Sequence, residues 1–163
     1  MQNTETPGGS GSGGRRPMKP GKLRAACHAA GMRLTRQRLA IYKELAGRHD
    51  HPNVERLYRA VKPRIPHISL FTVYRTMNAL ESAGLVWRVA TWKGQARYDA
   101  NVETHAHFLC EKCGRIHDIE VGDLSDLCRR VAGDKGTVRR LDLMFYGEGP
   151  MCRGEHAQGA QAK

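Results

Sequence analysis

The chain has 163 residues, with 27 Lys+Arg against 16 Asp+Glu for a net charge of +11; 40% of it is hydrophobic and 6% aromatic. That length makes one domain or two small ones, and so few aromatics argue against a single large core. No apolar run approaches the ~18 residues of a membrane span, and the N-terminal MQNTETPGGSGSGGRRP lacks the apolar stretch of a secretory signal, so a cytoplasmic protein without a membrane partner is expected.

Residues 1–18 are Gly/Ser-rich and read as a disordered tail. A weak helical pattern follows near 19–30. Thr35 then caps a helix over Arg36–Ala46, with Leu39, Tyr42, Leu45 and Ala46 on one face and Gly47 at its end. Asn53 caps the next, whose stripe is Val54, Leu57, Tyr58 and Val61. Ser69 caps a third, Leu70 to about Ala83, closed by Gly84; Val73, Met77 and Leu80 face inward, and Phe71, Thr72, Arg75, Asn78 and Ala79 outward, with Tyr74 at the border. After Gly84 the period changes. Leu85–Ala90 and Ala96–Asp99 are strand candidates around a turn at Trp92–Gln95. This order is that of a winged helix-turn-helix, which lays its third helix in the major groove. Thr72, Tyr74 and Arg75, near the start of that helix, are the residues expected at base edges, where Arg pairs with guanine. The charge agrees: residues 1–100 hold 18 Lys+Arg against 6 Asp+Glu, and residues 101–163 hold 9 against 10.

From residue 101 the pattern is strand, strand, helix, strand: Phe108–Cys110, Arg115–Ile119, a helix from Asp123 to Ala132, and Thr137–Tyr146. The expected fold class is α+β, with an N-terminal winged helix over 19–100, a small α/β unit over 101–152, and a flexible tail over 153–163. A unit of about 60 residues is marginal alone and calls for a metal or a partner.

Its chemistry is concentrated in His105-Ala106-His107-Phe108-Leu109-Cys110-Glu111-Lys112-Cys113-Gly114. His105 and His107 share one side of a strand, and Cys110-x-x-Cys113-Gly114 is a zinc knuckle. Cys152 is the third zinc ligand. The fourth is left open among His156, Glu155, Cys128 and water, while Cys27 and Cys128 read first as small core residues. His28, His49, His67 and His117 read as ordinary surface or core histidines. No nucleophile–base pair stands out, so the chain is not expected to be an enzyme; a metal-dependent hydrolase is the rival from another class.

The motifs Gly31-Met32-Arg33-Leu34-Thr35-Arg36-Gln37-Arg38, His51-Pro52, Ser69-Leu70-Phe71-Thr72-Val73-Tyr74-Arg75, Gly84-Leu85-Val86 and the His-x-His…CxxCG block resemble the ferric uptake regulator family over residues 19–152. The resemblance implies a homodimeric, metal-dependent transcriptional repressor that binds double-stranded DNA at an A/T-rich palindromic operator. It places Tyr74 and Arg75 at the DNA and Arg33 at the minor groove. It also implies a regulatory metal site made of His51, Asp99, His105, His107 and Asp118. Three imidazoles and two carboxylates suit Fe(II) or Mn(II) better than Zn(II), which prefers four ligands.

Aspartate rather than glutamate at positions 99 and 118 resembles the peroxide-responsive branch, in which Fe(II)-driven oxidation of His51 or His105 would be the signal; an iron- or zinc-responsive repressor is the alternative. Two departures from the family pattern stand out. A second C-terminal cysteine, expected at 155, is absent, and Gly147–Met151 reads as an insertion, which puts a four-thiolate zinc in question. Ala106 stands where some members carry an acid for a further metal, so that site is expected to be missing.

Overall fold

The computed structural model describes residues 18–133, 136–138 and 140–153. Among these are five α-helices and five β-strands in an α+β arrangement. Residues 1–17 of the expected N-terminal tail and residues 154–163, Glu155 and His156 among them, lie outside the described residues; Met18, counted with that tail, packs against the helical core, its N–H donating to Tyr42 Oη at 3.2 Å.

Four helices come first: α1 (Pro20–Ala29), α2 (Arg36–Ala46), α3 (Val54–Val61) and α4 (Leu70–Ser82). Each of the three predicted caps is present. Thr35 Oγ1 accepts from Arg38 N at 3.2 Å, Asn53 Oδ1 from Arg56 N at 2.9 Å, and Ser69 Oγ from Thr72 N at 3.1 Å, each satisfying an amide that the helix itself leaves without a partner. The apolar stripes meet in one core of Leu23, Cys27, Ile41, Tyr42, Leu45, Leu57, Val61, Val73, Met77 and Leu80, with Leu85, Val86 and Tyr98 beyond. Burying each large apolar side chain of this set contributes roughly 1.5–3 kcal/mol before entropy is counted. Cys27 is fully buried there, as a small core residue.

The hairpin of β1 (Trp87–Trp92) and β2 (Gln95–Asp99) follows. It starts and ends later than the sequence pattern suggests. Leu85 and Val86 sit in the helical core instead of on a strand, and Thr91 and Trp92 extend β1 to a two-residue turn. Lys93 and Gly94 adopt φ values of 48° and 76°, the left-handed pair that a tight hairpin turn requires. The register shifts between Arg88 and Ala90, which leaves Val89 as a bulge and breaks the expected alternation.

A second sheet has the order β4-β3-β5, built from β3 (Ala106–Cys110), β4 (Ile116–Ile119) and β5 (Leu143–Gly147), with α5 (Ser125–Ala132) crossing between β4 and β5. β3 pairs antiparallel with β4 and parallel with β5. The strand expected from Thr137 is confined to Leu143–Gly147, because β3 offers five residues and β5 matches them one to one. Gly147, read from sequence as part of an insertion, ends that strand opposite Cys110. α5 begins at Ser125, not Asp123; Asp123 Oδ1 instead accepts from Ser125 N at 2.8 Å just ahead of it. The hydrophobic residues buried here are few: Ala106, Leu109, Cys110 and Ile116. Among the described residues no helix is long and apolar enough to cross a membrane.

Candidate metal centres and DNA-facing surface

Two clusters of ligand-type side chains sit on opposite faces of the β3–β4 ladder. The first is assembled from both halves of the chain. His107 pairs across the ladder with Asp118, so their side chains share a face. His105 precedes His107 by two residues and joins them. Asp99 arrives from the end of β2. His51 comes from the loop between α2 and α3, held at φ 45°, a left-handed conformation rare for a residue with a side chain.

The donor atoms converge. His51 Nε2 lies 2.8 Å from Asp118 Oδ1 and 3.3 Å from Asp99 Oδ2. His105 Nε2 is 3.1 Å and His107 Nε2 3.4 Å from the same Asp99 oxygen, and the two ring nitrogens are 3.0 Å apart. One ligand atom each from His51, Asp99, His107 and Asp118 all fall within 4.8 Å of one another. His51 and Asp99 are fully buried, and Asp118 is 30% exposed at the rim.

His105 Nδ1 donates to the Glu103 carbonyl at 2.8 Å, which in the neutral ring leaves Nε2 with its lone pair facing the cluster. Burial disfavours a charged His51, but its bonds to Asp118 and Asp99 outweigh this and raise its pKa. His105 is raised chiefly by Asp99. Burial pushes Asp99 up, yet the three histidines hold it well below the usual carboxylate range. Asp99 therefore carries its negative charge at neutral pH, and a divalent cation of nitrogen and oxygen preference fits a donor set of two carboxyl groups and three imidazoles.

Arg97 fastens the His51 loop in place, and sequence reasoning missed it. Its Nη2 donates to the Asp50 carbonyl at 2.7 Å, its Nε to the His51 carbonyl, and its Nη1 to the Gly114 carbonyl at 3.1 Å. Only the three-dimensional meeting of those carbonyls reveals the role, since an arginine on a hairpin otherwise reads as solvated.

The second cluster is Cys110, Cys113 and Cys152, whose sulfur atoms lie within 4.8 Å of one another. Backbone N–H groups of Gly149 and Cys113 bring the Cys110 thiol down to about 6, while the neighbouring Cys113 and Cys110 sulfurs push Cys152 up to about 11. The turn after Cys113 needs Gly114. Its φ is 69°, and a Cβ there would sit 2.2 Å from Trp92 Nε1 at the tip of the hairpin. Cys128 lies on α5 and is not part of the cluster.

The Gly147–Met151 stretch leads the chain from the end of β5 into a turn at Cys152. Cys152 N bonds the Gly149 carbonyl at 2.8 Å, and Gly149 N donates to Cys110 Sγ at 3.3 Å. Gly149-x-x-Cys152 is therefore a second turn facing the first, with glycine where its leading cysteine would stand.

Residues 29–146 match the family model of the ferric uptake regulator family. The chain belongs to that family. The peroxide-responsive repressor PerR of Staphylococcus epidermidis is 32% identical over 134 residues, covering 80% of this chain and 88% of the relative. Among solved structures, the Campylobacter jejuni peroxide stress regulator is 32% identical with a TM-score of 0.63, covering 81% of this chain and 97% of that one. A zinc-bound manganese uptake regulator is 33% identical with a TM-score of 0.56, covering 78% and 98%.

This ferric uptake regulator family chain turns the outer face of α4 to solvent. Phe71 is 68% exposed, Tyr74 40%, and Arg75 lies 5.8 Å from the Phe71 ring. Thr72 is half-buried, its hydroxyl 2.8 Å from Ser69 Oγ. Tyr74 donates to Glu55 of α3, which raises its pKa and sets the ring against that helix. Arg33 is exposed in the α1–α2 loop, its carbonyl accepting from Arg38 at 2.5 Å. His28, His49, His67 and His117 are all exposed.

Proposed function

We propose that the protein is a homodimeric, metal-dependent repressor of transcription that senses peroxide, binding an A/T-rich palindromic operator through Arg33, Thr72, Tyr74 and Arg75. Residues 19–100 serve as the winged-helix domain and 101–152 as the dimerisation domain. The observation that carries the reading is the cluster of His51, Asp99, His105, His107 and Asp118. His51 comes from the loop between α2 and α3 and Asp99 from the end of β2, while His107 and Asp118 come from the second sheet and His105 from just ahead of it. A metal held by all five fixes the angle between the two parts, and losing it frees that angle. The exposed Phe145 and Tyr146 of β5, an edge strand, and Val131 of α5 give a second copy an apolar surface to cover. Cys110, Cys113 and Cys152 hold a structural zinc that supports the small second unit.

Fe(II), when bound, would supply the one-electron chemistry that cleaves the peroxide O–O bond and would be restored at the end, so that the imidazole is the net two-electron donor. The chain's part is to hold two imidazoles, His51 and His105, against the reacting centre and to leave Asp118 at the solvent rim, where a small oxidant enters. Oxidation adds one oxygen atom to an imidazole carbon and releases one water per peroxide. The damaged ring no longer holds the loop, and the DNA-binding angle is lost. Two aspartates in the site and peroxide-responsive relatives at 32% identity support this reading over an iron- or zinc-responsive repressor.

The test is made on protein loaded without oxygen. With Fe(II), a stoichiometric dose of peroxide ends binding to a palindromic duplex, and peptide mass spectrometry finds one added oxygen on His51 or His105. With Mn(II), the same dose changes neither. Unmodified histidines and retained DNA binding in the Fe(II) form refute peroxide sensing and leave the metal-responsive repressor.

A further inference from the structure

Three thiols are one short of a tetrahedral set, and the structure shows where a fourth sulfur would stand and which other ligand-type side chain lines the same cavity. The two facing turns, Cys110-x-x-Cys113 and Gly149-x-x-Cys152, would supply four sulfurs if residue 149 were cysteine. A Cβ built on Gly149 lies 3.6 Å from Cys110 Sγ and 3.5 Å from Cys110 Cβ, ordinary contact distances, and the backbone of Gly149 is not left-handed. A cysteine there meets no clash and points at the cluster. Glycine contributes only its N–H, which bonds Cys110 Sγ.

The ladder brings another donor to the same face. His117 pairs with Phe108, and Cys110 follows Phe108 by two, so His117 and Cys110 are diagonal neighbours. Such neighbours lie about 7–8 Å apart at Cα, within reach of a cysteine, an imidazole and an ion between them. His117 lines a cavity of about 10 Å³ together with Cys110, Cys113, Gly149 and Cys152. That volume is about the size of one small sphere. His117 is exposed, and its ring nitrogens lie outside the group of three sulfurs as the side chain stands, so ligation requires the ring to turn inward.

We propose that His117 is the fourth ligand of this zinc site, making it Cys₃His and standing in for the thiolate that Gly149 lacks. The proposal rests on reading the three cysteines as a zinc site. Cys₃His is a common closed, tetrahedral structural set. It also explains how a small unit with few buried side chains keeps a complete metal clip despite losing a cysteine.

The test uses the full chain, with zinc per chain, retention against a chelator, and the absorption of the cobalt-substituted protein as readouts. Wild type is expected to hold one zinc, with a cobalt spectrum of three thiolates and one nitrogen. His117→Ala weakens zinc retention on the order of 100-fold. Adding Gly149→Cys to His117→Ala restores retention and raises the thiolate-to-cobalt band by about one third, in step with the fourth sulfur. An unchanged spectrum and retention in His117→Ala overturns the proposal, as does a loss that appears instead in His156→Ala or Glu155→Gln. Wild type without zinc overturns the underlying reading of the three cysteines, a result distinct from either.

Discussion

Replacing Arg97 tests whether the regulatory site depends on a residue that binds no metal. Its guanidinium bonds the carbonyls of Asp50 and His51 on the loop, and of Gly114 beyond the knuckle. A hydrogen bond to a charged donor contributes about 1.5–3 kcal/mol. Arg97 is half-buried, so the low end applies, and the two loop bonds together hold about 3 kcal/mol. They oppose the left-handed backbone of His51, which itself costs of order 1–3 kcal/mol. In Arg97→Ala the loop relaxes and His51 reaches its ligand position in a minority of molecules. Apparent affinity falls in proportion to that population, and about 3 kcal/mol corresponds to roughly 100-fold. The assay is Mn(II) competition against a chelating dye, with zinc content and far-ultraviolet circular dichroism as controls. Arg97→Lys keeps the charge but not the fork, and is expected to fall between the two. In a double-mutant cycle with His51→Ala, removing Arg97 costs little further, since it acts through His51. Wild-type Mn(II) affinity in a folded Arg97→Ala protein refutes the reasoning.

Arg75→Ala should cost about 1–3 kcal/mol on operator DNA and relax base preference, measured by fluorescence anisotropy; an equal loss on random DNA refutes base reading by this residue. Cys113→Ser should release the structural zinc and shift the protein from dimer to monomer by light scattering, and a zinc-free dimer contradicts the clip. For pH, His51 and His105 have raised pKa values in the metal-free fold, so the stability they contribute is present below their ordinary value and is lost as pH rises through the raised one. Metal must displace those protons, so Mn(II) affinity should weaken as pH falls, by up to about tenfold per unit for each proton released. Calorimetry in buffers of different ionisation heat should count one to two protons near pH 6.5, and a count of zero removes the linkage. Asp118→Glu should keep metal-dependent DNA binding and blunt the peroxide response, because the longer acid covers the rim where Asp118 is 30% exposed; equal histidine oxidation in both proteins contradicts this.

What was legible in the sequence was whatever is local. Thr35, Asn53 and Ser69 announce their helices because a cap acts within three residues, and the stripe through Val73, Met77 and Leu80 needs only the helical period. His105 and His107 declare a shared face by their spacing alone. Legibility ends where chain segments meet. The bulge at Val89 breaks the alternation that would have placed β1, and β5 stops where β3 runs out of partners, which no pattern in Thr137–Tyr146 encodes. Spacing from Cys152 points forward to 155, and only the fold shows that Gly149, three residues back, also faces Cys110. Arg97 and His117 look like unremarkable strand residues until the ladder and the loop carbonyls are in place.

The β3–β4 ladder gives the molecule its economy of design, and the reason is the alternation of a strand. Successive residues point to opposite faces, so His107 and Asp118 serve one metal cluster while Phe108 and His117 flank the other, one residue away on each strand. A zinc clip on one face therefore fixes the register on which the regulatory ligands of the other face depend, because a slip by one residue would exchange the two sets. Arg97 carries the same dependence further. It binds the carbonyl of Gly114, next to Cys113, with the same guanidinium that holds the carbonyl of His51. Trp92, packed on Gly114, ties the hairpin tip to that turn. On the proposed reading the structural site sets the geometry in which the sensing site works, and release of the His51 loop is expected to leave the three thiols and the ladder in place.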